Sequence, residues 1–148
     1  MPAAVRADVE EHWGAAPGSV FVAGESIVVP GVSRECVRWT AAAARLRPRP
    51  GGNRHSPDLP PSHQYVAAYF WLREVFLADG VVQVGKHGNL EWLPVKSVGL
   101  SSWCYPDIAL GDLPPVYPYI VNNPGEGTQA KRRAAQRLWT TPCRRWGR

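Results

Sequence analysis

The sequence predicts an α/β fold, on three observations. Residues 81–84 (VVQV) and 116–121 (VYPYIV) are short apolar runs of strand composition. Each leads into a polar, glycine-bearing loop and then into helical spacing, and two strand–loop–helix units in series point to a sheet flanked by helices. Between them, Tyr65, Val66, Tyr69, Phe70, Leu72, Val75 and Phe76 cover most of a helix's circumference, which predicts a largely buried helix.

Taken in order, Val5, Val9 and Trp13 recur at helical spacing, and "SVFVAGESIVVPG" reads as two short strand runs about the turn-forming Gly24. Residues 36–54 fit poorly with their neighbours. Ala41, Ala42, Ala43 and Ala44 favour helix, but Pro48 and Pro50 stop it within two turns, and no amphipathic period survives. The plain reading of this segment is a flexible basic linker. Ser62, after Pro60 and Pro61, is a candidate N-cap for the buried helix. The strand at 81–84 is expected to be buried and to end at Gly85. The strand at 116–121 meets a loop at 122–127, with a helix starting near Thr128. Residues 138–148, like 36–54, are expected to be irregular, or helical only by composition. In such sheets ligands bind at the carboxyl ends of the strands, where the two loops lie.

A chain of 148 residues is about one domain. It holds no apolar run of membrane-spanning length, and its first residues, "MPAAVRADVEEHWG", show no apolar signal core, so a cytoplasmic location without membrane contact is expected. Cys36, Cys104 and Cys143 are odd in number and lack a CxxC, which predicts neither a disulfide framework nor a cysteine-type zinc site. The net charge of +5 and pI near 9.4 raise a small basic nucleic-acid-binding module as one reading, with seven tryptophans as stacking groups. The placement of the charge argues against it. Arg38, Arg45, Arg47, Arg49 and Arg54 lie in residues 36–54 and Arg144, Arg145 and Arg148 in residues 138–148, and neither segment holds an acid. Without those eight, nine basic residues face 12 acids, a net of −3. Trp39, Trp139 and Trp146 also lie in or beside these segments.

The candidate site begins in "VGKHGNLEWLP". His87 and Glu91 are four apart, which on a helix places both on one face. An imidazole beside a carboxylate binds a divalent metal or moves protons near neutral pH. The spacing equally describes a surface pair at a helix start. His63 follows the N-cap candidate, either as a ligand or base facing a cleft or as a partly buried first-turn histidine. Glu126 sits in "NNPGEGTQAKRR", either complementing a helix dipole or standing on a glycine-shaped loop at the sheet edge. The same stretch offers a weak phosphate reading through backbone N–H groups and Lys131, but neither GxxxxGK[ST] nor GxGxxG is present. Lys131, Arg132 and Arg133 read as a solvated helix face.

Three long segments, "PDLPPSHQYVAAYFWLRE", "VGKHGNLEWLP" and "GDLPPVYPYIVNNPGEGTQAKRRA", together resemble the large subunit of aerobic cobaltochelatase, within the CobN/magnesium chelatase H-subunit family. They occur in the family's order and cover most of residues 57–137. Residues 2–31 resemble it more loosely. The resemblance implies strand–loop–helix units cut from a larger chelatase domain. It implies a subunit that binds a tetrapyrrole and inserts Co2+ into hydrogenobyrinic acid a,c-diamide in cobalamin biosynthesis. Cobalt is then a substrate metal. ATP and Mg2+ are handled by separate AAA+ partner subunits, in keeping with the absence of a P-loop here. A His/Glu cluster suits the metal binding and proton removal that the resemblance implies, which makes His63, His87, Glu91 and Glu126 the candidate catalytic residues, with His87 and Glu91 the candidate metal ligands. Lys86, Asn122 and Asn123 would meet carboxylates or amides of the macrocycle. Trp92 and "NLEWLP" favour this branch over the alternative, a porphyrin-binding magnesium chelatase H-type subunit.

The chain departs from the family in three ways. It covers about a tenth of a typical member, so activity of the piece alone is not expected. Val95 stands where the family usually has the glycine of "LPGK". Residues 36–54 and 138–148 do not match, and both read as out-of-frame translation. Suitable codons for residues 41–48, read one base later, give Gln-Pro-Pro-Arg-Gly-Phe-Gly. Codons for residues 140–147, read from the last base of the Trp139 codon, give Asp-His-Pro-Val-Pro-Pro-Met-Gly. Both resemble the family's own continuation. The expected organisation is a partial N-terminal segment (1–35), an out-of-frame basic segment (36–54), a chelatase-like core segment (55–137) and an out-of-frame basic tail (138–148).

Overall fold

The computed structural model describes residues 1–18, 22–23, 26–27, 58–84, 90–94, 96, 100–119, 124–134 and 137–140. Helix α1, Ala3–Trp13, buries Val5 and Val9, one turn apart as their spacing predicts. Gly14, at φ 81°, ends it with its N–H on the Glu10 carbonyl. Strands β1, Val22–Ala23, and β2, Ser26–Ile27, form an antiparallel hairpin with Val22 opposite Ile27, about the predicted turn. The basic segment at 36–54 lies outside the described residues.

Helix α2, His63–Glu74, follows Ser62, which holds the N-cap position in extended backbone without a side-chain cap hydrogen bond. Gln64, Tyr65, Val66, Ala68 and Tyr69 are buried. The predicted burial does not reach Val75. The helix stops at Glu74, the Val75 and Phe76 N–H groups converge on the Trp71 carbonyl, and Val75 is 66% exposed. Leu77, at φ 55°, then turns the chain away.

Strand β3 is Val81–Val82, shorter than the predicted run. Val82 and Val84 are 62% and 84% exposed, so the expectation of a buried strand holds only for the Val81 side, which packs on the core. A 3-10 turn, Leu90–Trp92, follows. Helix α3, Tyr105–Leu110, was not foreseen. Pro106 and Asp107 suit its first turn and Gly111, at φ 54°, ends it. Strand β4 is Pro115–Tyr119. Helix α4, Pro124–Ala134, starts four residues before the predicted Thr128, because Pro124 has its φ preset for a first helical position. Strand β5, Arg137–Thr140, closes the described chain, so the first residues of the segment expected to be irregular are extended and paired. Arg144, Arg145 and Arg148 lie outside the described residues.

The three later strands form a parallel sheet in the order β3–β4–β5, with Val81 opposite Pro115 and Val116 opposite Arg137. This is the α/β architecture that the strand–loop–helix units predict. Parallel neighbours require crossovers, and α4 is the one between β4 and β5. The main core gathers Val5 and Val9 of α1, Tyr65 and Tyr69 of α2, Leu90 and Leu93 around the 3-10 turn, and Tyr105, Ile108, Ala109 and Leu110 of α3. A smaller cluster, Tyr117 on Ala130, joins the sheet to α4. Among the described residues no helix is long and apolar enough to cross a membrane.

Candidate functional site

Because β3 and β4 are adjacent and parallel, the chain leaves both at the same sheet edge. Lys86 and His87 follow β3, and Asn122 and Asn123 follow β4; these four lie outside the described residues. The described part of the site is what comes next on each path, the 3-10 turn after β3 and helix α4 after β4, and the two pack together.

The turn is built by its leucines. Leu90 and Leu93 are three apart, which at three residues per turn places them on one side, and both are fully buried. The Leu93 N–H meets the Leu90 carbonyl at 3.3 Å, and Pro94 prevents continuation. Glu91, between them, is 0% exposed. Neither the α-helical placement nor the surface pair that the His87–Glu91 spacing allowed describes Glu91. A carboxylate in such a place needs a counter-charge to stay ionised.

Arg133 brings positive charge within electrostatic range of Glu91. In the last turn of α4, Lys131 and Arg132 are exposed and Arg133 is buried. Its Nη2 donates to the Leu93 carbonyl at 2.8 Å. Burial pulls the guanidinium below its ordinary pKa, while the neighbouring Cys104 sulfur and the Glu91 carboxylate hold it up. The reading of Lys131, Arg132 and Arg133 as one solvated face is therefore corrected at Arg133. The signal was in the sequence: Gly127, Ala130 and Arg133 recur every third residue, and all three are buried. Two small residues let α4 approach its neighbours, and the arginine completes that face. Glu126 falls in the first turn of the same helix; its side chain is outside the described set.

His63 is placed elsewhere in the hydrogen-bond network. As the first residue of α2 it is half-buried, and its Nε2–H donates to the Gly14 carbonyl at 2.7 Å. Trp13 Nε1 donates to the Pro60 carbonyl at 2.9 Å and Gln64 Nε2 to the Pro17 carbonyl at 3.3 Å, fastening the same α1–α2 corner. The structure thus brings Glu91 together with Arg133 of α4 and fixes His63 to the end of α1. Among the described residues, no group of three or more His, Cys, Asp or Glu gathers to hold a metal ion.

The parallel sheet, the buried acidic turn and helix α4 define an α/β protein, and comparison with known proteins gives it a family. The CobN/Magnesium Chelatase family model matches residues 1–138, and the chain belongs to that family. It is 66% identical over 79 residues to the aerobic cobaltochelatase subunit CobN of Pseudomonas aeruginosa, covering 53% of this chain and 6% of that protein. It is 42% identical over 141 residues to the CobN subunit of a Sinorhizobium species, covering 91% of this chain and 11% of that one. Identity to the chloroplastic magnesium-chelatase subunit ChlH of Oryza sativa subsp. indica is 36% over 132 residues, covering 85% of this chain and 9% of that protein. The catalytic subunit of cobaltochelatase from Mycobacterium tuberculosis superposes with a TM-score of 0.74 at 42% identity, covering 95% of this chain and 13% of that chain. The chain therefore spans about a tenth of the length of these relatives.

Proposed function

We propose that the chain carries part of the metal-insertion site of an ATP-dependent cobaltochelatase large subunit. That subunit inserts Co2+ into hydrogenobyrinic acid a,c-diamide on the way to cobalamin. The observation that carries this reading is Glu91, fully buried in a 3-10 turn that packs against α4. Metal insertion requires two pyrrole N–H protons to leave and a Co2+ ion to shed water. A carboxylate withdrawn from solvent beside an imidazole suits both steps. Glu91 and His87 take the roles of metal ligands and proton acceptors. Glu126, in the first turn of α4, is a further acid–base group of the site, and Lys86, Asn122 and Asn123 receive the periphery of the corrin-type ring. His63 acts through Nδ1, since Nε2 is committed to Gly14. The cobalt branch is favoured over the magnesium branch by the identities over similar spans, 42% over 141 residues against 36% over 132 and 39% over 130.

AAA+ partner subunits in the cytoplasm supply ATP hydrolysis with Mg2+, and this chain alone is inactive. Residues 36–54 and 138–148 are out-of-frame translation of a gene for a longer protein. For the tail, the end of the family match at residue 138 supports this reading.

The test is reconstitution of an intact CobN-type subunit carrying this segment with its partner subunits. Glu91→Gln and His87→Ala each lower Co2+ insertion by about 100-fold or more, the range for removing a positioned acid–base group. Insertion at the unmodified rate in both variants overturns the assignment.

A further inference from the structure

We propose that Arg133 is the positioning residue for Glu91: its guanidinium holds the carbonyl of Leu93, two residues past Glu91, and so locks the acidic turn onto α4. This rests on the reading of Glu91 above but makes a separate claim about how Glu91 is held.

Several observations converge on it. Arg133 is 7% exposed and Glu91 0%, and both sit where the turn packs on α4. Charged groups of these types are rarely buried without a partner. The donor bond to Leu93 reaches two residues past Glu91, at the end of the same turn, so this side chain holds the turn's backbone next to its carboxylate. The planar guanidinium has five N–H donors in a fixed fork and can serve a carbonyl and a carboxylate together, which one ammonium does less well. Gly127 and Ala130, the small residues on the same face, allow the close approach this requires. Lys131 and Arg132 are exposed and do not share the task.

The experiment uses the 148-residue chain in two parts. The first is a double-mutant cycle with Glu91→Gln and Arg133→Met, read by urea unfolding. The expected unfolding constants are non-additive by about tenfold or more, within the range for contacting pairs. Additive effects overturn the proposal. The second part titrates Co2+ alone and reads its visible ligand-field bands, with Arg133→Lys as the conservative variant that keeps charge and fold. A shift of the bands in Arg133→Lys, with unfolding within twofold of the parent, supports positioning. Bands lost in Glu91→Gln but unmoved in Arg133→Lys overturn it and leave Arg133 a structural anchor only. If Glu91→Gln leaves the Co2+ bands intact, or the parent binds no Co2+, the metal role of Glu91 in this chain fails instead. The cycle then decides by itself whether Arg133 holds Glu91.

Discussion

The Nε2–H of His63 donates to the carbonyl of Gly14 at 2.7 Å, joining the first turn of α2 to the residue that ends α1. Gly14 sits at φ 81°, and its carbonyl is set by that turn of the backbone. His63→Ala is expected to cost about 1 kcal/mol of stability, the usual net worth of one hydrogen bond. Urea unfolding followed by tryptophan fluorescence measures it, and Trp13 at the same corner is a local reporter. An unchanged midpoint would show that the corner does not depend on His63.

Tyr105, at the start of α3, donates its hydroxyl to the Asp8 carboxylate of α1. Burial first, then this hydrogen bond and the charge of Asp8, raise the phenol above its ordinary value of 10.0. A raised folded-state value means that the neutral phenol is favoured by folding. The stabilisation is complete below about pH 10 and is lost as pH rises beyond it. Tyr105→Phe should lower stability at neutral pH by about 1–2 kcal/mol. It should also flatten the fall of stability in alkali, measured by urea unfolding between neutral pH and pH 11.

Gly111 ends α3 at φ 54° and ψ −125°, a sparsely populated region that costs other residues about 1–3 kcal/mol. A Cβ there would also run into the Arg73 guanidinium. Arg73 stacks on the Phe70 ring with its Cζ 4.9 Å from the centroid, so displacing it disturbs α2 as well. Gly111→Ala is expected to lower the unfolding free energy by at least about 1 kcal/mol, and thermal unfolding will report it.

Ala130 is 0% exposed against Tyr117, also 0%. Ala130→Leu forces three more carbons into that contact and should cost about 1–3 kcal/mol. Because Ala130 shares its face with Arg133, the variant should also move α4 off the acidic turn. Faster amide exchange at Leu93 would be its mark.

The frame reading makes its own prediction. Resequencing the locus should show that single-base corrections restore the Gln-Pro-Pro and Pro-Pro-Met runs and join long flanking homology. Confirmation of the frame as written, with a detectable product, removes that reading.

Where the sequence announced these features, it did so through periodicity. Val5 and Val9 were legible because a helix repeats its inward face each turn, and Tyr65 and Tyr69 for the same reason. Helix α3 was not, since six residues are too few for a period. Only Pro106, Asp107 and Gly111 marked its ends. The 3-10 turn hid behind a single leucine pair. The exposure of Val82 and Val84 was invisible because an apolar strand reads the same whether or not both its faces are covered. At the site, residue type pointed to Glu91, but nothing local indicated its burial, since carboxylates ordinarily stay in water. Arg133 was concealed by its exposed neighbours Lys131 and Arg132. Only the three-residue repeat through Gly127 and Ala130 separated it from them.

The sheet register also fixes a timetable. Ala23 and Ser26 are partners three residues apart, and such a hairpin closes in roughly 1–10 μs. Val81 must wait for Pro115, 34 positions later, and Val116 for Arg137, 21 positions later. Pairings of that span require loop closure before any contact rewards them, and they are slow. On a ribosome, β3 emerges and stays partnerless until β4 has been made, with the intervening acidic turn still lacking its arginine. A polypeptide cut anywhere before Arg133 would carry the acidic turn without the side chain that holds its Leu93 carbonyl.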